Sequence, residues 1–126
     1  MNIWLDDVRH PAPYGRLGWE WVKTGEEFLS LLSDRLDDIA WVSLDHDLSW
    51  DHYPVNGKEQ HAENTPMSGT EVVEEMINQG LWPKEGIIVH SMNPAGSDRM
   101  LRALVKEAPK SLVIEKRVAK LENGFK

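Results

Sequence analysis

The chain has 126 residues, of which 40% are apolar and 28% are charged, and its formal net charge at pH 7 is −7. These values indicate one globular domain over residues 1–126, and no apolar run reaches the roughly 20 residues that a membrane helix needs. The acidic charge argues against an extended nucleic-acid footprint, which shows as a basic patch. The absence of cysteine excludes disulfides and thiolate metal sites, and it fits a cytoplasmic location.

The first third of the chain predicts two short strands and a helix. Residues 2–6 form an apolar run typical of a buried strand, and residues 7–18 hold two prolines and two glycines, which indicates a loop. A brief strand over 19–22 comes next. A capping box at 24–27 then opens a helix over about 25–36, because apolar residues recur at helical spacing at Phe28, Leu31, Leu32 and Leu36.

The later elements alternate between strands and helices. Buried strands are predicted over 40–46 and 86–92, and a last strand over 111–118. Helices are expected after a second capping box at 68–71 and after Pro94, which suits a first helical turn. Strands separated by helices require crossover connections, so we predict an α/β protein with a largely parallel sheet. The loops that carry chemistry then lie on one rim.

One long stretch, at about 49–67, has no apolar periodicity. Such a length is unusual for a connection inside a compact domain. The stretch could be a lid that brings an imidazole or an ammonium group over a pocket, or it could be a solvated insertion. Its polar residues include Asp51, His52, Asn56, Lys58, His61 and Glu63.

Acidic residues follow the first two buried strands. Asp6 and Asp7 close one apolar run, and Asp45 and Asp47 close the other. Carboxylates bunched at strand ends repel each other and lose hydration, so a fold normally keeps them only where a cation or a proton neutralises them. A Mg²⁺ or Mn²⁺ site is therefore predicted, with oxygen ligands from Asp6, Asp7, Asp45 and Asp47. Alternatively, one member of the first pair caps a turn while the other contacts Arg9, and Asp47 merely caps the next turn.

Two histidines lie at the same strand ends. His46 stands between two of the aspartates, and His90 ends the third buried strand. An imidazole on this rim could protonate a leaving alkoxide, so both histidines are candidate catalytic groups. His46 could instead be a histidine that bonds only to the backbone.

Three further residues could bind a phosphate group. The guanidinium of Arg9 could clamp a phosphate bidentately, or it could neutralise Asp7. Ser91 could bind a phosphoryl oxygen, and Asn93 would suit an anion together with the free amides of the following helix. Alternatively, Ser91 and Asn93 only cap that helix.

The chain contains six tryptophans, a high number for its length. Those within apolar runs are expected in the core, and they are Trp4, Trp21 and Trp41. The others fall in loops or at the ends of elements, where one of them could stack on a base or a partner. They are Trp19, Trp50 and Trp82.

Three segments together resemble the family of cyclic-phosphate processing receiver domains. They are Leu5-Asp6-Asp7-Val8-Arg9-His10-Pro11, Ser43-Leu44-Asp45-His46-Asp47-Leu48 and Val89-His90-Ser91-Met92-Asn93-Pro94, and the likeness spans roughly residues 2–115. Lys116 is a loose match to the lysine of response-regulator receivers.

The resemblance implies a flavodoxin-like, three-layer sandwich around a mostly parallel five-stranded sheet of order 2-1-3-4-5. It also implies a divalent metal ion at the acidic rim and a role in processing cyclic phosphates, in nucleotides or at RNA ends. One segment departs from the receiver pattern, because residues 7–18 do not resemble the usual first helix.

The first expectation for function is a metal-dependent phosphoesterase, which processes a cyclic phosphate on a small ligand or at an RNA end. Mg²⁺ or Mn²⁺ would be its cofactor. Asp45 could hold that ion, or it could attack directly and form an aspartyl phosphate, as in receivers. A second hypothesis is a non-enzymatic module of phage or mobile-element origin that binds a nucleotide or a protein. A third is phosphorylation-controlled signalling.

Overall fold

The computed structural model describes residues 1–48, 54–55, 58–59, 67–91 and 93–117. Among these residues, no helix combines the length and the apolar character that crossing a bilayer requires. Except for the backbone of Lys58, the predicted lid residues of the 49–67 stretch lie outside the described part. Between residues 49 and 66, only the backbones of Pro54–Val55 and Lys58–Glu59 are described, and they pair as two short antiparallel strands.

The central sheet has five strands. All of its neighbouring strands run parallel, and their order is β2-β1-β3-β4-β5. The strands are β1 (Asn2–Leu5), β2 (Glu20–Val22), β3 (Trp41–Leu44), β4 (Gly86–Val89) and β5 (Val113–Lys116). The predicted flavodoxin-like class and the order 2-1-3-4-5 are confirmed.

The described residues form three helices, each with a side-chain cap at its first turn. They are α1 (Gly25–Asp34), α2 (Gly69–Gln79) and α3 (Pro94–Glu107). The hydroxyls of Thr24 and Ser68 accept the backbone N–H of the third helical residue, as both capping boxes predict. α1 is shorter than the predicted 25–36, because the chain leaves the α-helix at Arg35 and forms a 3₁₀ turn over Leu36–Asp38.

All three helices pack on one face of the sheet. Alternate strand residues such as Leu5, Leu44 and Val89 point to this face and are fully buried. They share one apolar core with residues of every helix, including Phe28 of α1 and Leu104 of α3. Burial of this apolar surface is the main favourable contribution to folding.

The opposite face is covered by a loop. Trp4, Ser43 and Ile88 lie side by side across β1, β3 and β4, and all three are buried. Tyr14, in the 3₁₀ turn Ala12–Tyr14, stacks on Trp4 with ring centroids 5.9 Å apart. The second helical layer of the expected three-layer sandwich is therefore replaced, in the described residues, by the 7–18 loop.

The tryptophans predicted in the core divide into two groups. Trp4 is buried, whereas Trp21 and Trp41 are only half-buried. The difference follows from their position on the loop-covered face, where no described helix packs over β2 or over the start of β3. The expectation of a core position is correct for Trp4 alone.

Candidate functional site

Three polar side chains meet at the carboxyl end of the sheet. β1, β3 and β4 end at residues that are partners in register, Leu5, Leu44 and Val89. The next residue of each strand is Asp6, Asp45 and His90, and one ligand atom from each lies within 4.8 Å of the other two. The register of the parallel sheet therefore brings these side chains together, although at least 38 residues separate any two of them.

Asp6 is held by four donors. Its Oδ1 accepts the backbone N–H groups of Val8 and Arg9, at 2.9 and 2.8 Å. Its Oδ2 lies 3.2 Å from Nη1 of Arg9 and 3.1 Å from Nε2 of His90. Asp6 thus both caps the turn and pairs with Arg9, the two roles that the sequence divided between Asp6 and Asp7. Burial raises the pKa of Asp6, but these hydrogen bonds outweigh it and hold the pKa below its usual value.

The buried carboxyl group of Asp45 has fewer hydrogen-bond donors and cations near it than Asp6 has. Its Oδ1 accepts the N–H of His46, and its Oδ2 lies 3.7 Å from Nη1 of Arg9. Burial and the charge of Asp6 raise the pKa of Asp45, Arg9 opposes them, and the net result is a pKa of about 8. At neutral pH, in the absence of another cation, this carboxyl group is therefore mostly protonated.

His90 connects Asp6 to Ser43 of β3. Its Nε2 faces the carboxylate of Asp6, and its Nδ1 lies 2.7 Å from Oγ of Ser43. Burial is the main reason that the pKa of His90 is lowered, so the ring is neutral. Because a carboxylate only accepts, Nε2 carries the proton and the Ser43 hydroxyl donates to Nδ1. The ring also stacks on Trp4, with centroids 3.9 Å apart and an interplanar angle of 5°.

Sequence reasoning did not single out Ser43. The signal was a polar residue inside an otherwise apolar strand, Trp41–Leu44, because a buried hydroxyl needs a partner. The partner, His90, lies 47 residues further along the chain.

A second polar group lies beside the first, at the start of α3. Nδ1 of His46 is 2.9 Å from Oδ1 of Asp47, and Nδ2 of Asn93 donates to the same carboxylate oxygen at 3.2 Å. The His46 ring lies directly against Gly96, where an added Cβ would overlap it. Strand alternation does not extend here, because β3 ends at Leu44. Asp47 consequently turns towards α3, away from the Asp6, Asp45 and His90 group.

One comparison identifies the family. A family model described as the cyclic-phosphate processing receiver domain matches residues 1–106, which is most of the chain and includes both polar groups. The chain belongs to this family. No curated protein and no solved structure matches it. The resemblance predicted from the three motifs is confirmed, and with it the association of this domain with cyclic-phosphate processing.

Other residues singled out in the sequence of this receiver domain occupy the margins of the site. Oδ1 of Asn93 accepts the N–H of Gly96 and so caps α3, and Oγ of Ser91 accepts the N–H of Asn93. Asp7 is half-buried and does not belong to the group of close ligand atoms. Lys116 is 46% exposed, and its ammonium group lies 3.8 Å from Asp98.

The divalent ion that the receiver family implies fits the chemistry of the rim. Arg9 already brings one positive charge to Asp6 and Asp45. Even so, the pKa of Asp45 stays near 8, because burial and the neighbouring carboxylates outweigh that charge. A hard cation would relieve this imbalance, since carboxylate oxygens are the ligands that Mg²⁺ and Mn²⁺ prefer. The close group differs from the predicted set, because it contains His90 and lacks Asp7 and Asp47.

Proposed function

We propose that the protein is a divalent-metal-dependent phosphoesterase that opens a cyclic phosphate. The supporting observation is the buried Asp45 carboxyl group, whose pKa is raised to about 8 beside Asp6 at the carboxyl ends of β1 and β3. Ligands of open α/β sheets bind at that edge. Strongly perturbed pKa values with a specific charged neighbour cluster at functional sites.

The acidic residues of the rim bind the metal ion in this proposal. Asp6 and Asp45 hold Mg²⁺ or Mn²⁺, with His90 next to them. When bound, such an ion polarises the phosphoryl group and lowers the pKa of a water molecule. Asp7 and Asp47 add negative charge to the rim, which strengthens cation binding without direct contact.

Arg9 is the phosphate-binding residue in this proposal. Its guanidinium bridges Asp6 and Asp45, and a quarter of its side chain is exposed to solvent. Once those carboxylates hold another cation, the guanidinium can turn outwards to a phosphate oxygen, for which its planar pair of donors is suited. Ser91 and Asn93 at the start of α3 lie at the edge of the same rim.

In hydrolysis of a cyclic phosphate, the oxygen of a water molecule bonds to phosphorus and that water loses a proton, while one phosphorus–oxygen ester bond breaks and the departing ribose oxygen takes up a proton. His46 is the proposed proton donor, because the Asp47 carboxylate 2.9 Å from its Nδ1 orients the ring. His90 is better suited to hold Asp6 in place, since its two nitrogens contact Ser43 and Asp6. Direct attack by Asp45 on phosphorus, which gives an aspartyl phosphate, is the alternative chemistry.

The proposal is tested by assaying turnover of 2′,3′- and 3′,5′-cyclic nucleotides with Mn²⁺, with Mg²⁺ and with a chelator. We expect metal-dependent hydrolysis that falls by about a hundredfold or more in Asp45→Asn, because one anionic ligand is lost. Asp34→Asn, at an exposed position at the end of α1, is the matched control and should retain full activity. Absence of turnover for every cyclic phosphate and every metal would disprove the enzyme.

A non-enzymatic binding module is the second candidate, and one observation favours it. Arg9 already contacts both Asp6 and Asp45, so its positive charge offsets part of the repulsion between these carboxylates without a metal ion. Cyclic nucleotide binding by calorimetry, without turnover, would favour this module. Covalent labelling of Asp45 by acetyl phosphate would favour signalling instead.

A further inference from the structure

An apolar groove opens at one edge of the sheet, where the carboxyl-terminal end of α3 meets β5. Its volume is about 240 Å³, and its apolar lining includes Leu104 and Val105 of α3 together with Leu112 and Ile114. Pockets for small molecules begin at roughly 300 Å³, so the groove has the size for one side chain rather than for a whole ligand. It lies towards the amino end of β5, whereas the acidic rim lies at the carboxyl ends of the strands.

The strand beside this groove has an open edge. β5 is the outermost strand of the sheet, and no strand of the described residues pairs with its other side. The backbone N–H groups of Val113 and Arg117 donate to oxygens on the β4 side. Because these groups alternate in direction along a parallel strand, those of Ile114 and Lys116 point outwards. An edge of this kind can pair with a strand from another chain.

Two basic side chains border the groove. Lys110 lines it, and Arg102 lies three residues before Val105, on the same side of α3. Both basic side chains are exposed. Neither forms an ion pair with a carboxylate of the described residues, so each can contact a carboxylate of another molecule.

The charge of this edge is opposite to that of the whole chain. Residues 94–117 contain six lysines and arginines and three aspartates and glutamates, which gives a net charge of +3 in a chain of −7. Residues 118–126 have a net charge of +1, so they supply no acidic complement. The potential of this surface therefore favours a partner that carries negative charge.

A second copy of the chain does not meet these requirements. Two copies that face each other through this edge would repel, because both surfaces are basic. The acidic helices are α1 and α2, which contain six aspartates and glutamates and no lysine or arginine. The exposed large apolar side chains of the described residues all lie outside these two helices, so neither helix offers a side chain to fill the groove.

We propose that this edge binds an extended acidic segment of a partner protein, which adds a strand beside β5. One large aliphatic side chain of the segment fills the groove. Carboxylates two residues away on each side share its face of the strand and contact Arg102 and Lys110. The main chain pairs with the outward groups of Ile114 and Lys116. In strand addition, main-chain hydrogen bonds supply affinity and side-chain pockets supply specificity.

The lining of the groove favours a peptide over a nucleic acid. Its side chains are aliphatic except for Lys110, and none is aromatic. Proteins that bind single strands stack the bases on aromatic rings, which this lining lacks. Asp98 and Glu115 also lie at this edge, as partners of Lys116 and Arg117, and their carboxylates would repel a phosphate backbone.

The test is a titration of the protein with a blocked synthetic nonapeptide, followed by NMR of the backbone amides. The peptide has a central leucine, a glutamate two residues away on each side, and serine or threonine elsewhere. We expect shifts that concentrate in residues 102–116 and saturate with a dissociation constant of about 0.1 mM, because so small a contact binds weakly. Peptides with serine in place of the leucine, or with lysine in place of both glutamates, should bind at least about tenfold more weakly.

Two substitutions separate the groove from the charge beside it. Val105→Asp places a carboxylate at the groove and should weaken binding of the glutamate peptide about tenfold or more. Arg102→Glu should weaken the glutamate peptide and strengthen the lysine peptide, an exchange that a general loss of structure cannot produce. Leu17→Asp is the matched control, because it makes the same kind of change at a side chain that is 85% exposed on the 7–18 loop. It should bind as the wild-type protein does.

Absence of shifts in residues 102–116 at about fifty times the expected dissociation constant would overturn the proposal. Equal binding of the serine peptide would do the same, as would unchanged binding by a folded Val105→Asp protein. Thermal melting checks that each variant folds, and the exchange at Arg102 remains decisive if Val105→Asp does not fold. Two further results would reject the acidic segment: self-association that Val105→Asp abolishes, which indicates a second copy, and tighter binding of a single-stranded RNA octanucleotide to the same residues.

Discussion

The two faces of the central sheet are built from the same strands but differ in chemistry. Towards the helices, alternate residues are aliphatic, fully buried and part of one core. Towards the loop, the residues between them include Trp4, Ser43 and Trp21. Trp4 stacks on His90, and hydrogen bonds join Ser43 to His90 and Trp21 to the backbone oxygen of Asp6. The helical face therefore supplies most of the stability, whereas the loop face orients the polar groups at the rim.

The largest expected effect is on the helical face. Phe28 of α1 is completely buried, and Phe28→Ala leaves a cavity in the core. We expect the free energy of unfolding to fall by about 3–5 kcal/mol, measured by urea denaturation. Leu17→Ala, at a side chain that is 85% exposed on the loop, should cost less than about 0.5 kcal/mol. Similar losses for both variants would contradict the assignment of stability to the helical face.

A smaller effect is expected for Ser43→Ala on the loop face. This change leaves the buried Nδ1 of His90 without its donor, which costs about 1–3 kcal/mol of unfolding free energy. Nitrogen NMR of the His90 ring should also show loss of the single tautomer with the proton on Nε2. Ser30→Ala, at an exposed position of α1, is the control. An unchanged His90 spectrum in a folded Ser43→Ala protein would show that Ser43 does not orient the ring.

The rim between the faces should make stability depend on pH in the absence of metal. Burial raises the pKa of Asp45 to about 8 in the folded protein, far above its value of 3.8 when exposed. From about pH 4 to 8, between the two pKa values, the folded state therefore holds one proton that the unfolded state has lost. Stability falls as pH rises through this window, and the part from pH 6.5 to 8 accounts for about 2 kcal/mol.

Thermal melts of the wild-type protein and Asp45→Asn in chelator, from pH 6.5 to 8.5, measure this dependence. The variant carries no ionisable group at residue 45, so its melting temperature should fall less over the same range. Mn²⁺ should reverse the trend in the wild-type protein only, because deprotonated carboxylates bind the ion better. Parallel pH profiles for the two proteins would mean that Asp45 is ionised in the native state throughout.

The smallest effect is expected at Lys116, which belongs to neither buried face. Its side chain is 46% exposed and 3.8 Å from the exposed carboxylate of Asp98. Lys116→Ala should change stability by less than about 0.5 kcal/mol, as exposed ion pairs usually do. Hydrolysis of a cyclic nucleotide should also be unchanged. A large loss of activity would instead assign Lys116 the role of the receiver lysine that it loosely matches.

Much of the fold could be predicted from local signals. Capping boxes located the starts of α1 and α2, and apolar runs located the strands of the sheet. The departure of 7–18 from the pattern of a first helix was also visible. The sequence did not show that a loop would cover one face of the sheet, because this depends on which face the other helices occupy. Trp21 and Trp41 were consequently expected in the core and proved half-buried.

The site was predictable at the level of the rim but not of individual contacts. Asp6, Asp45 and His90 each follow a strand, and parallel strands place such residues on one edge. The direction of Asp47 depends on the turn after Leu44, and its partners His46 and Asn93 belong to that turn and to α3. The contact of Ser43 with His90 depends on the register of β3 with β4. No pattern among neighbouring residues in the sequence predicts that register.

The sequence by itself determined the order of the elements, the residues that end each strand and the acidic character of one edge. These properties follow from periodicity and from residues close together in the chain. Only the tertiary structure decided which carboxyl group has a lowered pKa and which has a raised one. Asp6 and Asp45 are the same residue type at equivalent strand ends. Their pKa values diverge because Asp6 receives donors from the turn and from His90, whereas burial acts on Asp45 with little compensation.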